Sequence, residues 1–127
     1  MANETVLVVE DNEKNRKLAR DVLAHQGYRV LEAESGEDGL RLAGAERPAL
    51  ILMDIHLPGI DGIEALRRLR ADDATRAIPV IAVTASVMAN DRQKIMAAGF
   101  DGYQSKPISV RPFLAAVREA LDRRPGP

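Results

Sequence analysis

The sequence predicts an α/β fold in which a doubly wound parallel sheet of five strands is covered by helices on both faces. Short apolar runs, rich in β-branched residues, alternate with longer stretches of helical spacing, which is typical of β–α units. The central runs LVV, LILM and VIAV are apolar at every position, as expected for parallel strands that are buried on both faces.

The strands and helices can be placed in order along the chain. The five predicted strands are Thr5–Val9, Tyr28–Glu32, Leu50–Met53, Pro79–Val83 and Asp101–Gln104. The first helix begins near Glu13, with Asp11 or Asn12 as a possible N-cap. Gly27 and Gly99 are placed to end the first and fourth helices in a left-handed conformation.

The last helix has the clearest pattern. Its apolar residues recur at helical spacing and are Val110, Phe113, Leu114, Val117 and Leu121. Ser109 can cap its start, and Pro112 falls in the first turn, where a missing N–H is tolerated. We therefore expect one domain over residues 1–122, followed by a polar, proline-rich and flexible tail over 123–127.

Composition excludes several classes of function. The chain has 127 residues, no cysteine and a net charge of −1, so disulfides are excluded and a general nucleic-acid binder is not expected. Aromatic residues make up 3%, too few for a base-stacking surface. Neither a signal peptide nor an apolar run of roughly 18 residues is found, so we expect a cytoplasmic protein that is not bound to a membrane.

Polar residues follow the predicted strands where each one ends. Glu10 and Asp11 follow the first strand, Asp54 follows the third and Thr84 follows the fourth, while Lys106 comes just after the fifth. Ligands of open parallel sheets bind beyond the carboxyl ends of the strands, so these side chains are expected to gather at one edge.

Clustered carboxylates remain ionised more easily when a cation joins them, and oxygen ligands suit Mg²⁺. Such an ion could neutralise a phosphoryl group, with Lys106 as a second positive charge and Thr84 as a hydrogen-bond donor. An aspartate in this setting can act as a nucleophile and form an acyl phosphate. Each residue alone is more often a helix cap or a turn residue, and only the combination indicates a phosphoryl site.

Four motifs, VLVVEDN, LILMDIHLPGIDG, PVIAVTA and GYQSKP, together resemble the receiver domain of two-component response regulators. The resemblance extends from about Thr5 to Leu121. It implies a flavodoxin-like receiver fold, with the strand order 2-1-3-4-5 and five flanking helices. It further implies that Asp54 is the phosphoacceptor. Asp11, Asp54 and the backbone carbonyl of His56 would ligate Mg²⁺ directly, and Glu10 would reach the metal through water.

The resemblance also assigns the switch. Thr84 would bind the phosphoryl oxygens and shift inward, and Tyr103 would turn inward as Thr84 moves. Lys106 would pair with the phosphate, and its peptide bond to Pro107 would be cis.

A single-domain response regulator is the function that the resemblance implies. The chain would accept a phosphoryl group from a phosphohistidine on a histidine kinase or a histidine phosphotransfer protein, docked on the surface from Glu13 to Arg20. It would signal to a protein partner through helix four, strand five and helix five, with Val87 and Met88 as apolar candidates. It would be no enzyme beyond its own phosphorylation and dephosphorylation.

Several alternatives compete with this function. A receiver of a hybrid histidine kinase or of a multidomain regulator, or a phosphorelay intermediate, remains open. An aspartate-nucleophile phosphatase is disfavoured because the segment Asp54-Ile55-His56 lacks a second acid two residues after the nucleophile. A flavin-binding module is disfavoured because the segment EDNEKN is acidic where a phosphate loop would be needed.

Overall fold

The computed structural model describes residues 4–85 and 89–123, with only the backbone described for 89–91. The strands are Thr5–Val9 (β1), Arg29–Ala33 (β2), Leu50–Asp54 (β3), Val80–Thr84 (β4) and Gly102–Ser105 (β5). The helices are Glu13–His25 (α1), Gly36–Glu46 (α2), Gly62–Ala71 (α3), Ala89–Ala97 (α4) and Val110–Arg123 (α5).

The five strands form one parallel sheet in the order β2-β1-β3-β4-β5, so the predicted fold class is confirmed. Strand bounds differ from the predicted ones by one residue or so. Two of these differences concern the site, because Asp54 pairs with Val83 inside the β3–β4 ladder and Thr84 pairs with Ser105 inside the β4–β5 ladder. Both polar residues are therefore the last residues of their strands.

Two apolar cores lie on opposite faces of the sheet. Alternate residues of β1 point to different cores: Leu7 and Val9 pack with α2, α3 and α4, whereas Val6 and Val8 pack with α1 and α5. This explains why the central strands are apolar at every position. The predicted stripe of α5 is largely buried, with Phe113 at its centre, although Val110 in the first turn is exposed.

Three of the predicted helix ends are found. The Asn12 side chain accepts a hydrogen bond from the backbone N–H of Asn15 and caps α1. Gly27 and Gly99 have φ angles of 93° and 109°, the left-handed conformation expected at a helix C-terminus. Arg123, which we assigned to the tail, is the last residue of α5. Residues 124–127, and the candidate contact residues Val87 and Met88, lie outside the described residues, so the tail and this part of the output face stay predictions.

No helix in the described part of the chain is both long enough and apolar enough to cross a membrane.

Candidate functional site

Three carboxylates meet at the carboxyl edge of the sheet. Glu10 follows β1 directly, and Asp54 ends β3, the neighbouring strand. Both are buried, with 5% and 3% of their surface exposed, whereas Asp11 is exposed. One carboxylate oxygen from each of the three residues lies within 4.8 Å of the other two. The edge therefore has the ligand spacing of a metal site.

Lys106 joins the two buried carboxylates. Its Nζ lies 2.6 Å from Oε1 of Glu10 and 2.9 Å from Oδ2 of Asp54, and its side chain is 16% exposed. Its backbone N–H donates to the carbonyl of Thr84 at 2.9 Å. The Lys106–Pro107 peptide bond is cis, as the resemblance implied. The hydrogen bond to Thr84 holds the loop after β5 against the end of β4, and from this loop the Lys106 side chain reaches the two carboxylates.

Backbone N–H groups hold the other oxygens of these carboxylates. The N–H of Asn12 donates to Oε2 of Glu10 at 3.1 Å, and the N–H of His56 donates to Oδ1 of Asp54 at 3.1 Å. Each carboxylate is therefore oriented by the residue two positions later and by Lys106 on its opposite oxygen. The His56 side chain is exposed, and the metal contact expected of its carbonyl stays a prediction.

The protonation of Glu10 reflects its burial. Burial and, to a lesser degree, the neighbouring Asp54 carboxylate raise the pKa of Glu10 to about 7, against the opposing effects of Lys106 and of the Asn12 N–H. Burial lowers the pKa of Lys106, but hydrogen bonds to Glu10 and Asp54 outweigh it, and the net shift is upward. Lys106 thus stays charged near neutral pH, while Glu10 is close to taking up a proton.

The site fits a divalent cation. The three carboxylates outnumber the ammonium of Lys106, and oxygen ligands of this kind suit Mg²⁺, which takes one or two protein carboxylates and keeps several waters. The exposed Asp11 leaves one side of the cluster open to solvent, where such waters can be accommodated.

Gly62 allows the start of α3 to pack against the backbone that carries Asp54. A Cβ at Gly62 would collide with the carbonyl oxygen of Asp54 and would lie 2.9 Å from Cα of Ile55. The N–H of Gly62 also donates to the carbonyl of Ile55 at 2.9 Å. Gly59 in the same loop has a φ of +74°, which favours glycine. These glycines of the motif LPGIDG therefore shape the loop that follows Asp54.

The two predicted switch residues lie on β4 and β5, the strands that follow β3 in the sheet. Thr84 is fully buried at the end of β4, and Tyr103 on β5 pairs with Ala82, two residues before Thr84. The Tyr103 ring is half-buried against the core and lies 5.6 Å from the guanidinium carbon of Arg92. The sequence did not indicate this contact between α4 and β5.

Arg16 is the site residue that the sequence analysis missed. It lies in the stretch that we assigned to a docking surface, yet its side chain is only 12% exposed and its Nη1 donates to the backbone carbonyl of Glu10 at 3.0 Å. A signal was available, because an arginine one turn into a helix can fold back over the acidic loop that precedes that helix.

Comparison with known proteins agrees with this geometry. A family model described as the response regulator receiver domain matches residues 6–118. The polar-differentiation response regulator DivK of Brucella anthropi is 46% identical over 117 residues, covering 92% of this chain and 95% of the relative, and the protein of the same name from Brucella ovis is 45% identical over the same shares.

Solved structures show the same similarity. The receiver domain of a sensor histidine kinase from Pseudomonas aeruginosa, with a magnesium ion coordinated in its active-site cleft, has a TM-score of 0.88 and 34% identity, covering 95% of this chain and 99% of that one. A CheY-like response regulator receiver domain protein from Methanospirillum hungatei has a TM-score of 0.85 and 28% identity, covering 95% of each chain.

Proposed function

The chain belongs to the response regulator receiver domain family of two-component signalling, and on this premise we propose that Asp54 accepts a phosphoryl group in a reaction that requires Mg²⁺. The donor is a phosphohistidine of a histidine kinase or of a histidine phosphotransfer protein. The family membership confirms the resemblance drawn from the sequence motifs. A cytoplasmic location is part of this proposal.

The observation that carries the proposal is the setting of Asp54. The residue is 3% exposed, and its carboxylate is oriented from both sides, by the N–H of His56 and by Nζ of Lys106. A carboxylate oxygen of Asp54 forms the new bond to phosphorus as the phosphorus–nitrogen bond of the donor breaks, and the bonding electron pair goes to the imidazole nitrogen. The rigid strand end keeps the nucleophile in one place.

Glu10, Asp11 and Asp54 are the residues that would hold Mg²⁺, with the carbonyl of His56 as a further ligand. When bound, the ion neutralises negative charge on the phosphoryl oxygens. Lys106, whose Nζ lies 2.9 Å from Oδ2 of Asp54, would add a second positive charge, and the hydroxyl of Thr84 would donate to a phosphoryl oxygen. Support comes from the Pseudomonas aeruginosa receiver, whose active-site cleft holds magnesium.

The surfaces that contact the donor and the downstream partner are also part of the proposal. The surface of α1 lies beside the carboxylates and would receive the donor protein, while α4, β5 and α5 would carry the signal to a protein partner, with Thr84 and Tyr103 as the switch between them. Similarity to the Brucella response regulators over 95% of their length supports a single-domain regulator. Similarity to a receiver of a sensor histidine kinase supports a second candidate, a receiver of a hybrid kinase or a phosphorelay intermediate.

Phosphorylation by a small donor tests the proposal. The purified protein is incubated with acetyl phosphate, with and without Mg²⁺, and its intact mass is measured. We expect a gain of one phosphoryl group that requires both Mg²⁺ and Asp54, and therefore no gain in Asp54→Asn. Asp61→Asn is the matched control, because Asp61 is exposed and caps α3, and this variant should still be phosphorylated. A wild-type protein that gains no phosphoryl group from acetyl phosphate or from a phosphorylated phosphotransfer protein would contradict the proposal.

A further inference from the structure

Glu10 is held by a hydrogen bond at every polar group. Its backbone N–H donates to the carbonyl of Ala33 at 3.0 Å, and its carboxylate oxygens accept from Lys106 and from the N–H of Asn12. The remaining group, its backbone carbonyl, accepts from Nη1 of Arg16. Arg16 therefore completes the hydrogen bonds that fix the residue from which the acidic loop begins.

Arg16 is itself held by two further carboxylates. Its Nε lies 3.2 Å from Oε1 of Glu32 at the end of β2, and its Nη2 lies 3.4 Å from Oε1 of Glu34. The backbone N–H of Arg16 donates to the carbonyl of Asn12 at 2.9 Å, in the first turn of α1. One planar guanidinium thus links α1, the end of β2 and the loop that carries Glu10 and Asp11.

We propose that Arg16 is a positioning residue of the carboxylate site, which holds the loop of Glu10 and Asp11 in the conformation that binds the metal ion. The reason is geometric. The carbonyl of Glu10 and the backbone of Asp11 belong to the same peptide unit, so a bond to this carbonyl restrains the plane from which the Asp11 side chain departs. Partners of this kind, one step behind the ligands, usually change metal affinity by about 10-fold to 100-fold.

Arg16 is also much less exposed than the lysines near it on α1. Lys14 and Lys17 on the same helix are exposed. The guanidinium of Arg16 instead points inward, where it donates to the carbonyl of Glu10 and pairs with the carboxylates of Glu32 and Glu34. Arg16 therefore acts on the metal site from within, and the exposed lysines of α1 remain available for contacts with a donor protein.

The test uses Arg16→Met with two matched controls. Arg20→Met removes another arginine of α1. Arg20 also pairs with Glu32, at 3.4 Å, but no hydrogen bond from Arg20 to the Glu10 carbonyl is found among the described residues. Arg118→Met removes the arginine of a second, partly buried ion pair at the other end of the sheet. There, Nη2 of Arg118 lies 2.9 Å from Oε2 of Glu4. This variant is expected to lower the melting temperature without touching the site.

Two measurements distinguish positioning from general stability. Calorimetric titration with Mg²⁺ should give a dissociation constant roughly tenfold or more above wild type for Arg16→Met, and within about twofold of wild type for both controls. In the metal-free proteins, amide hydrogen exchange of Asn12, whose N–H binds the Glu10 carboxylate, should be roughly tenfold faster in Arg16→Met and unchanged in Arg118→Met.

The outcomes separate this role from the proposed function on which it rests. Unchanged Asn12 exchange in metal-free Arg16→Met would overturn the positioning role, whether or not the wild type binds Mg²⁺. An equal loss of Mg²⁺ affinity in Arg118→Met would also overturn it, because general destabilisation would then explain the effect. A wild-type protein that does not bind Mg²⁺ would instead contradict the proposed function.

Discussion

Nζ of Lys106 lies 2.6 Å from Oε1 of Glu10, although β3 and β4 separate their strands in the sheet. The lysine side chain crosses the carboxyl edge of the sheet and also reaches Asp54 of β3 at 2.9 Å. One flexible side chain from the β5–α5 loop therefore supplies the positive charge for two buried acids on different strands.

Removing this charge should destabilise the metal-free protein. Lys106→Met leaves two buried carboxylates without their cation, and near pH 8 in EDTA the free energy of unfolding should fall by about 3 kcal/mol, the scale of a broken buried ion pair. Near pH 6 the loss should be smaller, because Glu10 can then take up a proton. Urea unfolding at the two pH values measures both effects.

Lys17→Met is the matched control for Lys106→Met. Lys17 is 64% exposed and pairs with Asp21 on the surface of α1, so its removal should leave the stability close to that of wild type. A Lys106→Met variant as stable as wild type at both pH values would show that the three groups are not in contact in solution.

Glu10 should make the metal-free protein less stable as the pH rises. Burial raises the pKa of Glu10 from 4.5 to about 7, so between these values the folded state holds a proton that the unfolded state has released. The stability linked to this proton is fully present below about pH 4.5 and is lost as the pH rises through about 7. The size of the shift corresponds to about 3 kcal/mol at most.

Glu10→Gln isolates this effect, because the amide does not titrate. The difference in free energy of unfolding between wild type and Glu10→Gln, measured in EDTA from about pH 5 to pH 8, should change in favour of the variant as the pH increases. Parallel stability curves for the two proteins would mean that Glu10 has an ordinary pKa in the folded state.

The apolar pattern was sufficient for the fold class because it reports burial on both faces of each central strand, whereas the strand order came from the family resemblance. It placed the strand ends less accurately, since Asp54 and Thr84 continue the backbone ladder although their side chains are polar. An apolar pattern records which side chains are buried, whereas a strand ends where its backbone hydrogen bonds end.

The site could likewise be predicted only in part. That Glu10, Asp54 and Thr84 share an edge follows from parallel strands alone. The contacts of Lys106 and Arg16 with Glu10 could not be predicted, because they depend on the rotamers of long side chains and on loops that are distant in sequence. The upward shift of the Glu10 pKa depends on the same packing and was not foreseen either.

Gly62→Ala should destabilise the protein and disturb the loop after Asp54. The added Cβ would meet the backbone of Asp54 and Ile55, which cannot move without shifting the strand end, so we expect a loss of about 1–3 kcal/mol in the free energy of unfolding. Urea unfolding measures the loss, and the rate of phosphorylation by acetyl phosphate reports on the loop.

Gly44→Ala provides a matched helical control, because a Cβ at Gly44 in α2 would have nothing within 4 Å. This substitution should stabilise the protein by up to about 1 kcal/mol through helix propensity. Equal effects of the two substitutions would contradict the close approach of α3 to the strand end.

Asp11 should affect metal binding without contributing to the stability of the metal-free protein. It is exposed, in contrast to Glu10 and Asp54, and it adds a like charge to a cluster that already repels itself. Asp11→Asn should therefore be at least as stable as wild type in EDTA. Its dissociation constant for Mg²⁺ should nevertheless increase by roughly tenfold or more, equivalent to about 1.4 kcal/mol of binding free energy.

Two measurements with one control test the role of Asp11. Calorimetry gives the affinity directly, and the rise in melting temperature at a fixed Mg²⁺ concentration should shrink in Asp11→Asn, because ligand stabilisation depends on the ratio of concentration to dissociation constant. Asp73→Asn, at an aspartate whose side chain is 92% exposed, should bind Mg²⁺ as wild type does. An unchanged affinity in Asp11→Asn would remove Asp11 from the ligands and leave Glu10 and Asp54 as the acids that hold the ion.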